Sequence, residues 1–305
     1  MVSTFLLLVP MVPLAAFQAA TGRPGSVLEP RGPAPGPASL PPPCTPGAPG
    51  CPDGGGPSSP FSPRAVREAS RTWEWKNLET PGWKLLMADH VVLRGDVPVA
   101  ELRRSGAYLE EFFRMLESAL GGDTSGLMFS CRIFADPGDF RRYAARRGAA
   151  NAESFYDPRT SELVVCLEGV RGDAWLQKTL AHEFTHAYMD RVWKRTEPLW
   201  FAEGMAEYFA GFTVKDGRAR PGAVDRPALL LLRLQGTEPL RDFVKLGREE
   251  MYGPAFTSLY AQAWAFVHYL FSCGDDTVDL LLRGEPLKDV DKLEKAWSDY
   301  LEKLE

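Results

Sequence analysis

Two histidines one helical turn apart, with a glutamate directly after the first, carry the strongest chemical signal in this chain: His182, Glu183 and His186 in LAHEFTHAYMD. Side chains four residues apart on a helix share a face, so both imidazoles can be presented to one ion. Glu183 is offset from that line. It is poorly placed to ligate the same ion but can reach a water held there and accept its proton. A catalytic zinc site uses three protein ligands and leaves a fourth position for water or substrate, so a third donor is required. Downstream comes PLWFAEGMAEYF, in which Pro198 can open a second helix and Glu203 lies where that helix, running antiparallel, would face the first. Trp200, Phe201 and Phe209 supply packing to hold it there. Glu207, one turn on, shares the face of Glu203 and can hydrogen-bond a ligand imidazole from behind.

These residues need elements to position them. Trp83 to Leu93 reads as extended chain, and Val99 to Leu120 has Leu102, Leu109, Phe112, Phe113, Leu116 and Leu120 at helical spacing. Leu127 to Phe134 and Glu162 to Leu167 are short β-branched and aromatic runs bounded by turn residues, and so read as strands. Asp173 is placed to cap a helix running to about Val192, and the helix opened by Pro198 ends near Gly211. A hairpin is expected at Asp216 and Gly217, and helices at 227–235, 254–272 and 286–304, with Gly236, Gly274 and Gly284 as punctuation. The expected fold is α+β, a small mixed sheet lobe and a helical lobe. The basic run Arg141, Arg142, Arg146, Arg147 reads as a solvated helix face.

Composition bounds the rest. A net charge of -5 leaves no excess of Lys and Arg to neutralise phosphates, so nucleic acid is not an expected partner. Residues 1–20 form an apolar stretch with small residues near Ala16 and Ala20, which reads as a signal peptide or an N-terminal membrane anchor; either exports the remainder of the chain. Residues 21–63 carry 14 of the 26 prolines and almost no large apolar side chain, the composition of a disordered linker, which leaves 64–305 as the folded domain. Five cysteines are too few for a disulfide scaffold, although export allows one or two bridges among Cys44, Cys51, Cys131 and Cys166, with Cys273 left odd.

HEFTH followed by WFAEGMAEY resembles the gluzincin metallopeptidases, whose second motif reads WxxEGxAxY and whose glutamate there ligates zinc; Glu203 is the matching residue. The nearest resemblance is to the bacterial peptidase MA-like group of uncharacterised secreted proteins, into which FYDPRTSELVV, YAQAWAFVHYL and LEKAWSDYL also fit. The likeness spans roughly Trp83 to Leu301, and the two zinc motifs are its specific part. It implies a zincin-like α+β fold with one zinc ion between the lobes.

It also implies a tyrosine that hydrogen-bonds the oxyanion. Tyr260 of YAQAWAFVHYL is the candidate, with Gln262 and Ala263 where the gluzincin aminopeptidases have Lys and Gly. His268 is the alternative donor, while His90 has no partner in view and the adjacent Asp190 and Arg191 read as helix-end surface charges. The expected activity is zinc-dependent hydrolysis of peptide or protein substrates by an exported endopeptidase. The alternatives are a zinc aminopeptidase and a non-catalytic exported zinc-binding module. No GxMEN strand for a free amino terminus occurs before the zinc helix, and the run from Ser161 to Leu167 is instead suited to pair with a substrate backbone.

Overall fold

The structure is a computed structural model that describes residues 7–9, 74–77, 82–167, 173–194, 198–215, 218–274 and 276–305; at 7–9, 74–77, 173, 214–215 and 218 the backbone alone is described. The leader and linker expected over 1–63 lie outside the described residues apart from Leu7–Val9, as do Cys44 and Cys51.

The elements run β1 (Leu7–Val9), β2 (Glu74–Asn77), β3 (Lys84–Met87), β4 (Val91–Gly95), α1 (Val99–Leu120), β5 (Phe129–Phe134), α2 (Pro137–Ala145), β6 (Ser154–Asp157), β7 (Glu162–Cys166) and α3 (Asp173–Tyr188). A π-turn, Met189–Trp193, continues α3. There follow α4 (Leu199–Ala210), β8 (Thr213–Lys215), β9 (Arg218–Arg220), α5 (Arg226–Gln235), α6 (Leu240–Phe243), α7 (Arg248–Met251), α8 (Phe256–Cys273), α9 (Thr277–Leu282) and α10 (Val290–Lys303).

The fold is α+β, as the sequence predicts. Five strands form a mixed sheet in the order β6-β7-β5-β4-β3, and β1 and β2 add at its two edges. Strands β4, β5 and β7 are parallel, while β6 is antiparallel to β7 and β3 to β4. The extended run from Trp83 to Leu93 is therefore two strands folded back on each other. Along β5, Cys131 and Ile133 face the main core with α1 and α3, whereas Phe134 joins a second cluster with Phe140, Phe155, Val164 and Cys166. Cys131 and Cys166 thus belong to opposite faces of the sheet. Both are free and buried, so no bridge joins them.

Local chemistry explains the helix ends. Asp136 caps α2 by accepting from the Asp139 N–H at 2.7 Å, and Asp225 caps α5 by accepting from Ala228 at 3.0 Å. Pro198 stands at the start of α4 and Gly211 at its end, and β8 and β9 pair across the expected hairpin. Arg141, Arg142 and Arg146 are exposed as expected, but Arg147 turns inward, 3.2 Å from Asp157 and over the Tyr143 ring. There the buried Asp157 carboxylate, which Arg159 also binds, supplies the counter-charge.

Helix α4 packs closely on α8, and Gly204 allows it. A Cβ at 204 would stand 2.5 Å from the Ala263 carbonyl oxygen and 2.6 Å from Val267 Cγ2, so the two helices meet only because that atom is missing. Gly204→Ala should therefore destabilise the protein by about 1–3 kcal/mol through overpacking, outweighing the ~1 kcal/mol that alanine gains in helix propensity. The urea midpoint measures this, and a midpoint at or above that of the wild type would contradict the packing argument.

Candidate metal centre

Helix α3 lies between the sheet and α4, and it is tied down along its length. The Tyr108 hydroxyl donates to the Gln177 carbonyl at 2.7 Å, and the Tyr188 hydroxyl donates to that of Gly121 at 2.6 Å. In the π-turn, Asp190 accepts from the Tyr156 hydroxyl at 2.6 Å and Arg191 donates to the Met128 carbonyl at 2.5 Å. Asp190 and Arg191 are accordingly anchors to the sheet rather than free surface charges.

This helix and α4 bring His182, His186 and Glu203 together, all buried. The two Nε2 atoms are 3.1 Å apart, and each is 3.4 Å from Glu203 Oε2. Donor atoms ~2.0–2.1 Å from a tetrahedral zinc ion stand about 3.3 Å from one another, so the triangle has the dimensions such an ion requires. Glu203 Oε2 has no hydrogen-bond partner in spite of complete burial, as expected of an atom that serves a ligand. The donor set and the bare oxygen both fit a small cation.

Two of these three candidate ligands have a polar neighbour behind them. His182 Nδ1 is 3.0 Å from Glu207 Oε1, and Glu207 is also 3.1 Å from Lys178 Nζ, which reaches Asp225 at 3.3 Å. Glu203 Oε1 accepts from the Tyr252 hydroxyl at 2.6 Å. Glu207 thus stands within ion-pair distance of His182 Nδ1, as expected, although the contact lacks the angle of a hydrogen bond. Lys178, one turn before His182 on the same face, was findable by the spacing that gave His186. Tyr252, 49 residues from Glu203, has no such signal.

Glu183 is fully buried beside the triangle. Its Oε1 accepts from the Ser154 hydroxyl on β6 at 2.7 Å, while Oε2 has no partner. Burial raises its pKa, and the two ligand histidines and Ser154 oppose that rise. Tyr260 is also at the site, its ring nearly parallel to that of His182 with centroids 6.4 Å apart. Its buried hydroxyl makes no hydrogen bond of ordinary geometry. Burial above all, with the nearby Glu203 charge, keeps the phenol protonated well beyond the usual tyrosine range, and the same causes act on Tyr252.

Three further sequence readings change here. His268 is not a donor to the site: its ring nitrogens meet the Tyr300 hydroxyl at 2.6 Å and the Gly222 carbonyl at 3.1 Å, which pins α8 to neighbouring elements. His90 has a partner in Glu110, at 2.9 Å, and stacks on Phe113. The strand Glu162–Cys166 has no free edge, because β5 and β6 pair with its two sides. Within it, Glu162 binds Arg132 at 3.1 Å and the Tyr143 hydroxyl on the face away from the site. Gln262 is structural, its amide clamping the backbone of Glu238 through bonds of 2.8 and 2.7 Å.

Residues 177–283 match a family described as a protein of unknown function (DUF1570). The span covers both motif helices and Tyr260 and assigns no activity. Comparison with curated proteins finds no match.

Burial alone would lower the pKa of His182, but its polar contacts with Glu203 and Glu207 and the charges of Glu207 and Glu183 outweigh it and hold the imidazole up at about 10. A folded value raised above the ordinary 6.5 gives stability that is fully present below about pH 6.5 and lost as pH rises through about 10. A metal needs the bare nitrogen and so competes with that proton. Metal affinity should climb over the same pH window, with proton release measurable by calorimetry in buffers of different ionisation enthalpy. Affinity independent of pH between 7 and 9 would contradict this arrangement.

Proposed function

We propose that this chain is a zinc-dependent peptidase, an exported endopeptidase with one metal ion held by His182, His186 and Glu203. The observation that carries the reading is the bare triangle of 3.1 and 3.4 Å beside a buried carboxylate whose outer oxygen is unpartnered. A purely structural zinc is closed by four protein ligands, and among the described residues the group has three.

When bound, zinc would lower the pKa of a water toward about 7 and polarise the scissile carbonyl. The protein does the rest. Glu183 Oε2 takes the proton of the attacking water and later delivers it to the leaving amine, while the bond from Ser154 to Oε1 keeps the carboxylate turned for both transfers. Tyr260, kept neutral by burial and the Glu203 charge, donates to the developing oxyanion. Glu207, held charged by Lys178 and 3.0 Å from His182 Nδ1, would accept a hydrogen bond from that N–H once Nε2 is engaged and so fix the tautomer that leaves Nε2 free.

The substrate is proposed to lie along β6, the strand that carries Ser154. Its outer edge pairs antiparallel with Leu7–Val9, Val9 opposite Ser154, so it accepts an extended segment next to Glu183. A chain that has lost its leader would present that edge open. Backbone pairing needs no free terminus, which favours internal bonds.

His182→Ala should lose zinc and activity together. Glu183→Gln should keep zinc and lose activity by at least ~100-fold, and Tyr260→Phe should lower kcat by about 100-fold with zinc unchanged. Elemental analysis and peptide-library cleavage measure both properties, and stoichiometric zinc in the His182, His186 double alanine variant would overturn the assignment.

A peptide that is cleaved with its amino terminus free should also be cleaved when acetylated. Loss of cleavage on acetylation, with single residues released from the free form, would make the enzyme an aminopeptidase.

A further inference from the structure

We infer that Tyr252 is a positioning residue that keeps Glu203 a one-oxygen ligand and thereby leaves Tyr260 free for the substrate; this rests on the proposed metal site. A carboxylate beside a cation has two equivalent oxygens and can engage it through either or both. Here they are made unequal. Oε1 accepts from the Tyr252 hydroxyl at 2.6 Å, whereas Oε2 is unpartnered and equidistant, at 3.4 Å, from the two imidazole nitrogens.

The hydroxyl is itself fixed. Tyr252 stands at the end of α7, where its backbone N–H donates to the Arg248 carbonyl at 3.0 Å and its ring lies 4.8 Å below the Arg248 guanidinium. The next residue, Gly253, passes so near the helix that a Cβ would be 2.7 Å from the Glu249 carbonyl oxygen, so this backbone turn depends on glycine.

The ring of Tyr260 is 6.4 Å from that of Tyr252, and its hydroxyl has no ordinary hydrogen bond. If the Tyr252 hydroxyl were removed, Glu203 Oε1 would become a buried anionic oxygen without a donor. It would turn onto the metal as a second ligand or draw in the Tyr260 hydroxyl, and either change costs the reaction something that Tyr252 does not itself touch.

The test is Tyr252→Phe, which keeps the ring and removes the hydroxyl, read first with cobalt(II) in place of zinc. Wild type should give the intense visible bands of a four-coordinate ion. The variant should bind about tenfold more weakly in chelator competition, with weaker bands as coordination rises or the ligand turns. Its loss of kcat should not add to that of Tyr260→Phe, since the two act through one hydroxyl.

Wild-type affinity and spectrum in Tyr252→Phe, with stoichiometric cobalt in both proteins, would overturn the inference alone. Failure of the wild type to bind cobalt or zinc would overturn the metal reading beneath it. If the phenylalanine variant does not fold, Tyr252→His replaces it, because an imidazole N–H restores a donor. A wild-type spectrum there supports the donor role, and its loss overturns it.

Discussion

A carboxylate with no exposed surface cannot stay charged unless positive charge or hydrogen-bond donors stand against it, and Glu203 is such a group. Burial pushes its pKa up, but His186 and His182 prevail and hold it far below the ordinary carboxylate range. That counter-charge is one a bound cation could supply in their place. The surrounding structure serves this requirement. Helix α8 packs against α4 and sets Tyr260 beside His182, Tyr252 satisfies the oxygen that faces away from the triangle, and the chain Lys178, Glu207, His182 brings compensating charge from the rim. Glu183 is held on the same plan, with one oxygen on a hydroxyl and the other bare.

Much of this is legible in the sequence alone. His182 and His186 are adjacent by helical geometry, and Glu203 and Glu207 follow once a second helix must pack against the first. The long helix α1 is recoverable to its ends because its apolar residues recur at one period over six turns. What escapes lies across the chain or in elements too short to show a period. Strand β6 has four residues, all buried, so it lacks the alternation that marks a strand, and Ser154 is hidden with it. Tyr252 reaches Glu203 only through the tertiary fold. At β7 the opposite holds: the strand is evident from its residues but its neighbours are not, since interior and edge strands differ in pairing rather than in residue type.

The tethering of α3 bears on how such a site keeps its geometry. The helix is bonded to α1, the sheet and the segment before β5 through Tyr108, Tyr188, Tyr156 and Arg191, at points on either side of the ligands. Errors in ligand position of a fraction of an ångström matter to a metal, and rigid elements with locked neighbours keep them small. The π-turn fits this account. By widening the last turn it carries Asp190 and Arg191 round to the sheet, at the place where a plain helix end would fray.

Gly204 has the simplest side chain near the site, and it separates two kinds of information in the motif. Glu203 specifies what binds. The glycine beside it specifies how near α8, with Tyr260 on it, can come to the ligand helix. Anyone moving these ligands into another helical scaffold would meet that difference at once. Copying the donors alone would give a pair of helices spaced by ordinary side chains, able to hold an ion but with the tyrosine out of reach. The reach of Tyr260 toward the candidate site is thus partly a property of clearance, encoded by a residue with no chemistry of its own.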